Sequence, residues 1–231
     1  MDKRLLRYFT VFVLLPALAV VVSCKKDQTF PPPALGEDYL PLQKGSWISY
    51  KADSIVWNDF YTPVKIDTFS YYIKMVVDSS FTDNEGRTSF VWRKYYRTDT
   101  TSWEPVRNYT ITKTAERVET YEENIRYIKM AFPVKNTTWW DLNAFNTFKA
   151  TESYYDEYDI PLTINSKHYD SCATVIHKNL ETLVSKEYHK EVFAKHIGLV
   201  YKEITSLSKE VTSDWKQGFS YKWVLTETGN E

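Results

Sequence analysis

The chain reads as an all-β domain: an antiparallel, up-and-down curved sheet of about ten strands that forms a barrel or half-barrel. Three observations carry that reading. Phe69, Tyr71, Ile73, Met75 and Val77 fall on one side of a segment whose other side carries Ser70, Lys74 and Asp78. A period of two held that long marks a half-buried strand. Composition agrees, with 18 Tyr, 12 Phe and 8 Trp among 231 residues, side chains that fill pleated surfaces well. Short polar turns such as Asp83-Asn84-Glu85-Gly86 separate the runs, and strands joined in series by tight turns favour an up-and-down arrangement.

The elements follow in order. Met1-Asp2-Lys3-Arg4-Leu5-Leu6-Arg7 is basic, and an apolar run from Tyr8 to Val22 comes after it, broken only by Thr10 and Pro16. A basic start, an apolar stretch and small residues before a cut site make a secretory signal. The run is shorter than the roughly 20 residues of a spanning helix. It ends on Val21-Val22-Ser23-Cys24, which resembles the lipobox of bacterial lipoproteins. That resemblance implies removal of residues 1–23 and acylation of Cys24, with palmitate among the acyl groups. Two or more acyl chains hold a protein stably on a membrane. Lys25, rather than Asp, follows the cysteine, and in the sorting rule of such lipoproteins this implies the outer membrane, on either its periplasmic or its outer face. Residues 24–38 read as a tether, because Pro31-Pro32-Pro33 favours an extended polyproline spacer. Residues 39–231 form one β domain.

Within that domain Ile48, Tyr50 and Ala52 alternate with Trp47, Ser49, Lys51 and Asp53, and Phe90, Trp92, Lys94 and Tyr96 alternate with Val91, Arg93, Tyr95 and Arg97. Further strands are expected over 107–115, 117–122, 125–132, 148–158, 167–177, 198–207 and 219–226. The last carries Phe219, Tyr221, Trp223 and Leu225 on one side. The stretch Leu180–His196 reads either as a helix or as a strand ending at Ile197-Gly198. Trp139-Trp140-Asp141 and Asn143–Asn146 read as a loop.

Two stretches, Leu40-Pro41-Leu42-Gln43-Lys44-Gly45-Ser46-Trp47 and Val192-Phe193-Ala194-Lys195-His196-Ile197-Gly198-Leu199-Val200-Tyr201-Lys202-Glu203, together with the lipobox, resemble a broad class of uncharacterised Bacteroidetes lipoproteins. In that class Gly is common where His196 stands. The resemblance implies antiparallel barrels or half-barrels and supplies no catalytic residue.

Formal charge is −1 over the whole chain; the signal carries Lys3, Arg4, Arg7 and Asp2, which leaves −3 from Cys24 onward. No block of one sign is long, which argues against a nucleic-acid partner. Once Cys24 is acylated, Cys172 is the one remaining thiol; no intramolecular disulfide can form, and Cys172 is expected as a buried, unreactive thiol within a strand. The four histidines, His168, His177, His189 and His196, come with no cysteine pair and no HExxH spacing, so neither metal nor cofactor is expected. No GxSxG elbow or phosphate-cradling glycine loop occurs. The acids Glu122-Glu123 and Asp156, Glu157 and Asp159 read as solvated turns, since neighbours on a strand point to opposite faces and cannot form the spaced carboxylate pair of a glycosidase.

The expected function is therefore a non-enzymatic binding or scaffold module, anchored in the outer membrane through Cys24, with an envelope protein or an apolar or glycan ligand as partner. The alternatives are an envelope enzyme such as a glycan hydrolase, or a purely structural component. Trp139 and Trp140 are the candidate binding surface, because two adjacent large rings in a loop cannot both enter a core from one strand. Asp53-Ser54-Ile55 and Asp99-Thr100-Thr101 resemble the short O-glycosylation motif of Bacteroidetes, with Ser54 and Thr100 as acceptors.

Overall fold

The computed structural model describes residues 34–99 and 102–230. The signal over 1–23, the acylation site Cys24, the proline run of the tether and the acceptor Thr100 lie outside the described residues. The fold is all-β, with twelve antiparallel strands in one sheet. A 3-10 turn, Glu37–Tyr39, comes first. The strands are β1 (Ser46–Asn58), β2 (Lys65–Thr82), β3 (Thr88–Arg97), β4 (Glu104–Lys113), β5 (Arg117–Glu122), β6 (Ile125–Ala131), β7 (Trp139–Asp141), β8 (Glu152–Ile164), β9 (Lys167–Glu181), β10 (Ser185–Ala194), β11 (Gly198–Ser208) and β12 (Gln217–Asn230).

The strand order is β6-β5-β4-β3-β2-β1-β12-β11-β10-β9-β8-β7. The first and last strands are neighbours in the middle of the sheet, and its two edges are β6 and β7. Those edges meet without a full ladder. Ile128 N donates to Leu142 O at 3.0 Å, Trp140 Nε1 to Ile128 O at 2.8 Å, and Asn146 Nδ2 to Arg126 O at 2.8 Å. Side chains and single backbone bonds thus cover edges that would otherwise stand open, and the sheet is a nearly closed barrel.

Alternation sorts the two faces. Tyr50 is paired with Ile73 on one side and Leu225 on the other, and all three are buried. The inner face continues through Ala52, Met75, Ile111, Val118, Met130, Tyr155, Ala173, Val175 and Phe193. Each fully buried aliphatic side chain of this set contributes about 1.5–3 kcal/mol. The Tyr50 hydroxyl donates to Leu199 O at 3.0 Å, so its polar tip is satisfied in the core. One end of the barrel is plugged by Tyr39 and Leu40. Asp159 N donates to the Tyr39 hydroxyl at 3.1 Å, and His196 N donates to Asp38 O at 2.8 Å. Val134 N donates to Leu35 O at 2.9 Å, so part of the segment read as tether already touches the barrel. Gly36 has φ of +82°, and a Cβ there would lie 2.7 Å from Val134, so no larger residue fits this approach.

Three local readings change. Trp139–Asp141 is not loop but the short edge strand β7; three residues are too few to show a period. Leu180–His196 resolves into the last two residues of β9, a turn, the strand β10 and the start of the turn after it. The strand expected from Phe148 starts at Glu152. The turn after β10 is tight, with Ile197 N donating to Ala194 O at 3.2 Å. His196 holds φ of +62° there, a left-handed conformation that glycine adopts freely and His less readily.

Candidate functional site

The inner face of the barrel is apolar at the plugged end and charged further along. On β10 the inward set is His189, Glu191 and Phe193. Glu191 sits opposite Lys202 of β11, and Phe193 opposite Leu199. Bulges at Val192/Phe193 and His189/Lys190 re-aim the strand. From β9 comes His177, and from β6, across the barrel, Lys129. All converge on the buried Glu191 carboxylate. Its Oε1 accepts from Lys202 Nζ at 3.0 Å, Lys129 Nζ at 3.2 Å and His189 Nε2 at 3.2 Å. Its Oε2 accepts from His177 Nε2 at 3.3 Å. The other nitrogen of His177, Nδ1, lies 2.9 Å from Ser153 Oγ, which serves as donor when Nε2 carries the proton. The two imidazoles are in contact, with centroids 4.6 Å apart, and Trp140 meets the edge of His177 at 6.1 Å. Lys129 also reaches Glu122 of β5 at 3.7 Å.

Burial sets the proton balance. Desolvation opposes ionisation of Glu191, but Lys129 and Lys202 and the two imidazole donors outweigh it, so the carboxyl sits well below the usual range. Desolvation disfavours the charged form of Lys202; the field of Glu191 reverses this and raises its pKa. Burial pushes His189 down to about 3, with His177 adding to the drop and Glu191 only partly opposing it. His177 is lowered by burial as well. Both imidazoles are neutral at pH 7.

His177, His189 and Glu191 have the donor types of a metal site, and their donor atoms lie within 4.8 Å of one another. The lysines decide against it. A divalent ion about 4 Å from one ammonium meets repulsion of about 8 kcal/mol at an effective dielectric of 20, and two ammoniums lie on the Glu191 carboxylate. The cluster repels cations.

A cavity of about 70 Å³ adjoins the cluster, with Glu122, Lys129, Glu191 and Lys202 on its charged side and Tyr50, Trp223 and Leu199 on its apolar side. A water molecule takes about 10–15 Å³ of such space, so the cavity holds a few waters or one small head group. From Trp223 an aromatic row runs outward along the inner face of β12. Trp223 contacts Tyr221 at 6.0 Å, and Tyr221 stacks on Phe219 at 6.0 Å and 13°. Across β1, whose Ser54 and Val56 lie opposite Tyr221 and Phe219, the same face continues to Phe69 and Tyr71 of β2, and Tyr71 contacts Tyr96 of β3 at 5.3 Å. Exposure rises toward the end of this row, to 40% at Phe219 and 53% at Phe69, so the plugged end and the aromatic end differ in kind.

A second buried carboxylate lies on the outer face. Thr120 lines the inner cavity, so its neighbour Glu119 on β5 points outward. Three guanidiniums cover it. Arg117 Nε donates to Oε1 at 2.6 Å, Arg126 Nε to Oε2 at 2.9 Å and Arg87 Nη1 to Oε2 at 3.2 Å. Phe145 lies under Arg117 and Arg126, at 4.8 and 4.2 Å from the ring centre. Desolvation is outweighed by these arginines, and the Glu119 carboxyl stays below its ordinary value.

The residues singled out from sequence fall apart in space. Trp139 is 69% exposed, whereas Trp140 is buried with its indole bonded to Ile128 O. Only Trp139 offers surface. Ser54 is half-buried on the inner face, bonded to Tyr71. Cys172 is buried and burial pushes its thiol up. Glu122 faces the cavity, while Glu123 turns away with φ of +53° and pairs with Arg107. Asp159 binds Lys195 at 2.7 Å and Ser171 at 2.6 Å. Sequence reasoning missed the Glu191 cluster. Its one signal was the His189-x-Glu191 alternation leading into Val192-Phe193-Ala194.

No family model matches the chain, and no curated protein matches it. Among solved structures it is similar to one from Bacteroides fragilis described as an exported protein with a YmcC-like fold, at TM-score 0.44 and 14% identity, covering 86% of this chain and 100% of that one. It is similar also to one from Parabacteroides distasonis described as a lipoprotein, at TM-score 0.41 and 10% identity, covering 83% of this chain and 98% of that one.

Proposed function

We propose that this chain is a non-enzymatic binding module, anchored by lipid at Cys24 in the bacterial outer membrane, whose working surface is the aromatic inner face at the end of the barrel away from Tyr39 and Leu40. One observation carries the reading. The inner face there is not filled by aliphatic side chains but carries a row of rings, from Trp223 to the half-exposed Phe219, beside a small cavity with charged walls. A purely structural barrel has no need for half-exposed rings on its inner face. A glycan hydrolase needs one carboxyl that holds a proton near neutral pH. Glu191, fixed as a carboxylate by four donors, is unsuited to that role. This surface replaces Trp139 and Trp140 as the favoured one, because that pair divides between solvent and core.

Two arms test the proposal. For the anchor, Cys24→Ser is expressed with labelled palmitate; the expected result is loss of label and of detergent partitioning, and retention of either overturns the anchor. For the surface, a photoreactive phenylalanine analogue is placed at Phe219 and, as a control, at Phe60, which is 93% exposed on a turn. Capture from the native envelope at 219 but not at 60 is expected. Equal capture at both, or none at 219, overturns the binding surface.

A further inference from the structure

We infer that the aromatic end of the barrel takes a long-chain carboxylate, its head between Lys94 and Lys202 beside Trp223 and its tail along Tyr221, Phe219 and Phe69. This rests on the binding-module reading and names its ligand class.

The charge inventory of the interior comes first. Glu191 neutralises one of the two ammoniums that touch it, and Glu122 lies 3.7 Å from Lys129. Lys94 of β3 faces the same interior, opposite Met75 and Arg107. Among the described residues no carboxylate stands within ion-pair distance of it. Its ammonium lies 4.9 Å from the centre of the Trp223 ring, and that of Lys202 lies 5.3 Å from the same ring. With both imidazoles neutral, three ammoniums face two carboxylates. Desolvation, then Lys202 and Arg107, bring the pKa of Lys94 down to about 8, as crowded like charges require. An anion placed between Lys94 and Lys202 removes that conflict and satisfies donors that are otherwise left to water and the ring.

The shape of the rest of the ligand follows from the walls. Phe69, Phe219 and Val56 give the rim an apolar strip that suits an alkyl chain, with Ser54, Ser206 and Asp67 beside it on the same face. The head lies against the Lys94 and Lys202 ammoniums and the Trp223 ring rather than in the cavity of about 70 Å³, whose charged side also holds the carboxylates of Glu122 and Glu191. The aromatic row from Trp223 to Phe219 covers four residues of strand, about 13 Å, along which an extended tail lies. A single-chain amphiphile meets both conditions.

The test uses isolated envelope membranes carrying the full chain and a diazirine analogue of palmitic acid. Expected are adducts within 217–230 and 65–82, competed by palmitate about tenfold better than by hexadecanol, the gain of one charge-assisted contact. Lys94→Gln removes that tenfold preference and Lys94→Arg keeps it. Lys222→Gln, on the outer face of β12, leaves it unchanged. The ratio in the unaltered protein decides the matter even if Lys94→Gln does not fold. Equal competition by hexadecanol overturns the anionic head. Stronger competition by lysophosphatidylglycerol than by palmitate overturns the carboxylate in favour of a phosphate. Absence of adducts on β2 and β12 overturns this inference, and if a probe at Phe219 still captures another molecule, the binding-module reading survives it.

Discussion

Glu119 and Glu191 are two carboxylates with almost no exposed surface, on opposite faces of one sheet, each ringed by cations. Around Glu119 the cations are arginines, which stay charged at every accessible pH and grip through planar forks. They are closed over by Phe145. Around Glu191 the cations are two lysines, joined by two neutral histidines, compact donors of a kind that titrates when buried, and a cavity adjoins them. The outer cluster is a clasp that fastens the β2–β3 turn to β5 and β6. The inner one is an adjustable surface. Burial of charge alone therefore does not mark a working site; the kind of donor and the space beside it do.

The largest test of that contrast is charge removal. Glu191→Gln leaves the Lys202 ammonium uncompensated and Lys129 with only the longer pair to Glu122, their side chains 12% and 15% exposed, and is expected to cost about 3–5 kcal/mol in denaturant unfolding. Glu119→Gln should cost less, about 2 kcal/mol, because Arg87 keeps Asp83 and Glu85, and Arg117 keeps Glu116. Equal losses would erase the distinction.

Acidification separates the sites next. His189 faces Glu191 on its own strand, His177 on β9 and Lys202 on β11. Its folded pKa is depressed, so the unfolded chain binds the proton first and stability falls as pH drops below about 6.5, toward about 3. With a side chain 16% exposed, His189 should cost about 2 kcal/mol between pH 7.5 and 5.0. His177 acts in the same direction. His189→Gln should flatten the profile over that window, whereas Glu119→Gln should shift it without changing its slope. A slope unchanged in His189→Gln would show that the inner histidines do not set it.

The smallest effect is at the clasp. Phe145→Ala removes two cation–π contacts and should cost about 1 kcal/mol, with the pH slope untouched. A changed slope would mean that the two clusters are coupled through the sheet.

Much of the barrel was legible in the sequence because most inner faces are apolar. Ile73, Met75 and Val77 on β2, Tyr50 and Ala52 on β1, and Leu225 on β12 are buried where period-two alternation puts them. The strand β10 was not, for a physical reason: its inner face carries His189 and Glu191, so apolar-in, polar-out alternation fails there. The same polarity that hid the strand makes the site. Lys129 and His177 reach Glu191 from strands 62 and 14 residues away in sequence, a convergence no local pattern can show. Trp139 and Trp140 were read as a pair because β7 is too short to reveal that its neighbours point apart.

The pairing of β1 with β12 sets the order of assembly. Ser46 through Trp57 find partners from Asn230 back to Gly218, a contact between the two extremities of the domain. A chain delivered from its N-terminus, by a ribosome or through a membrane pore, presents β1 long before its partner. Until the final 14-residue strand arrives, β1 keeps one side bare and Tyr50 has no Leu225 beside it. Such sequence-distant closure slows folding and prolongs exposure of unpaired strand edges. A chain that stopped before Gln217 would therefore leave a sheet split down its centre rather than one merely trimmed at its rim.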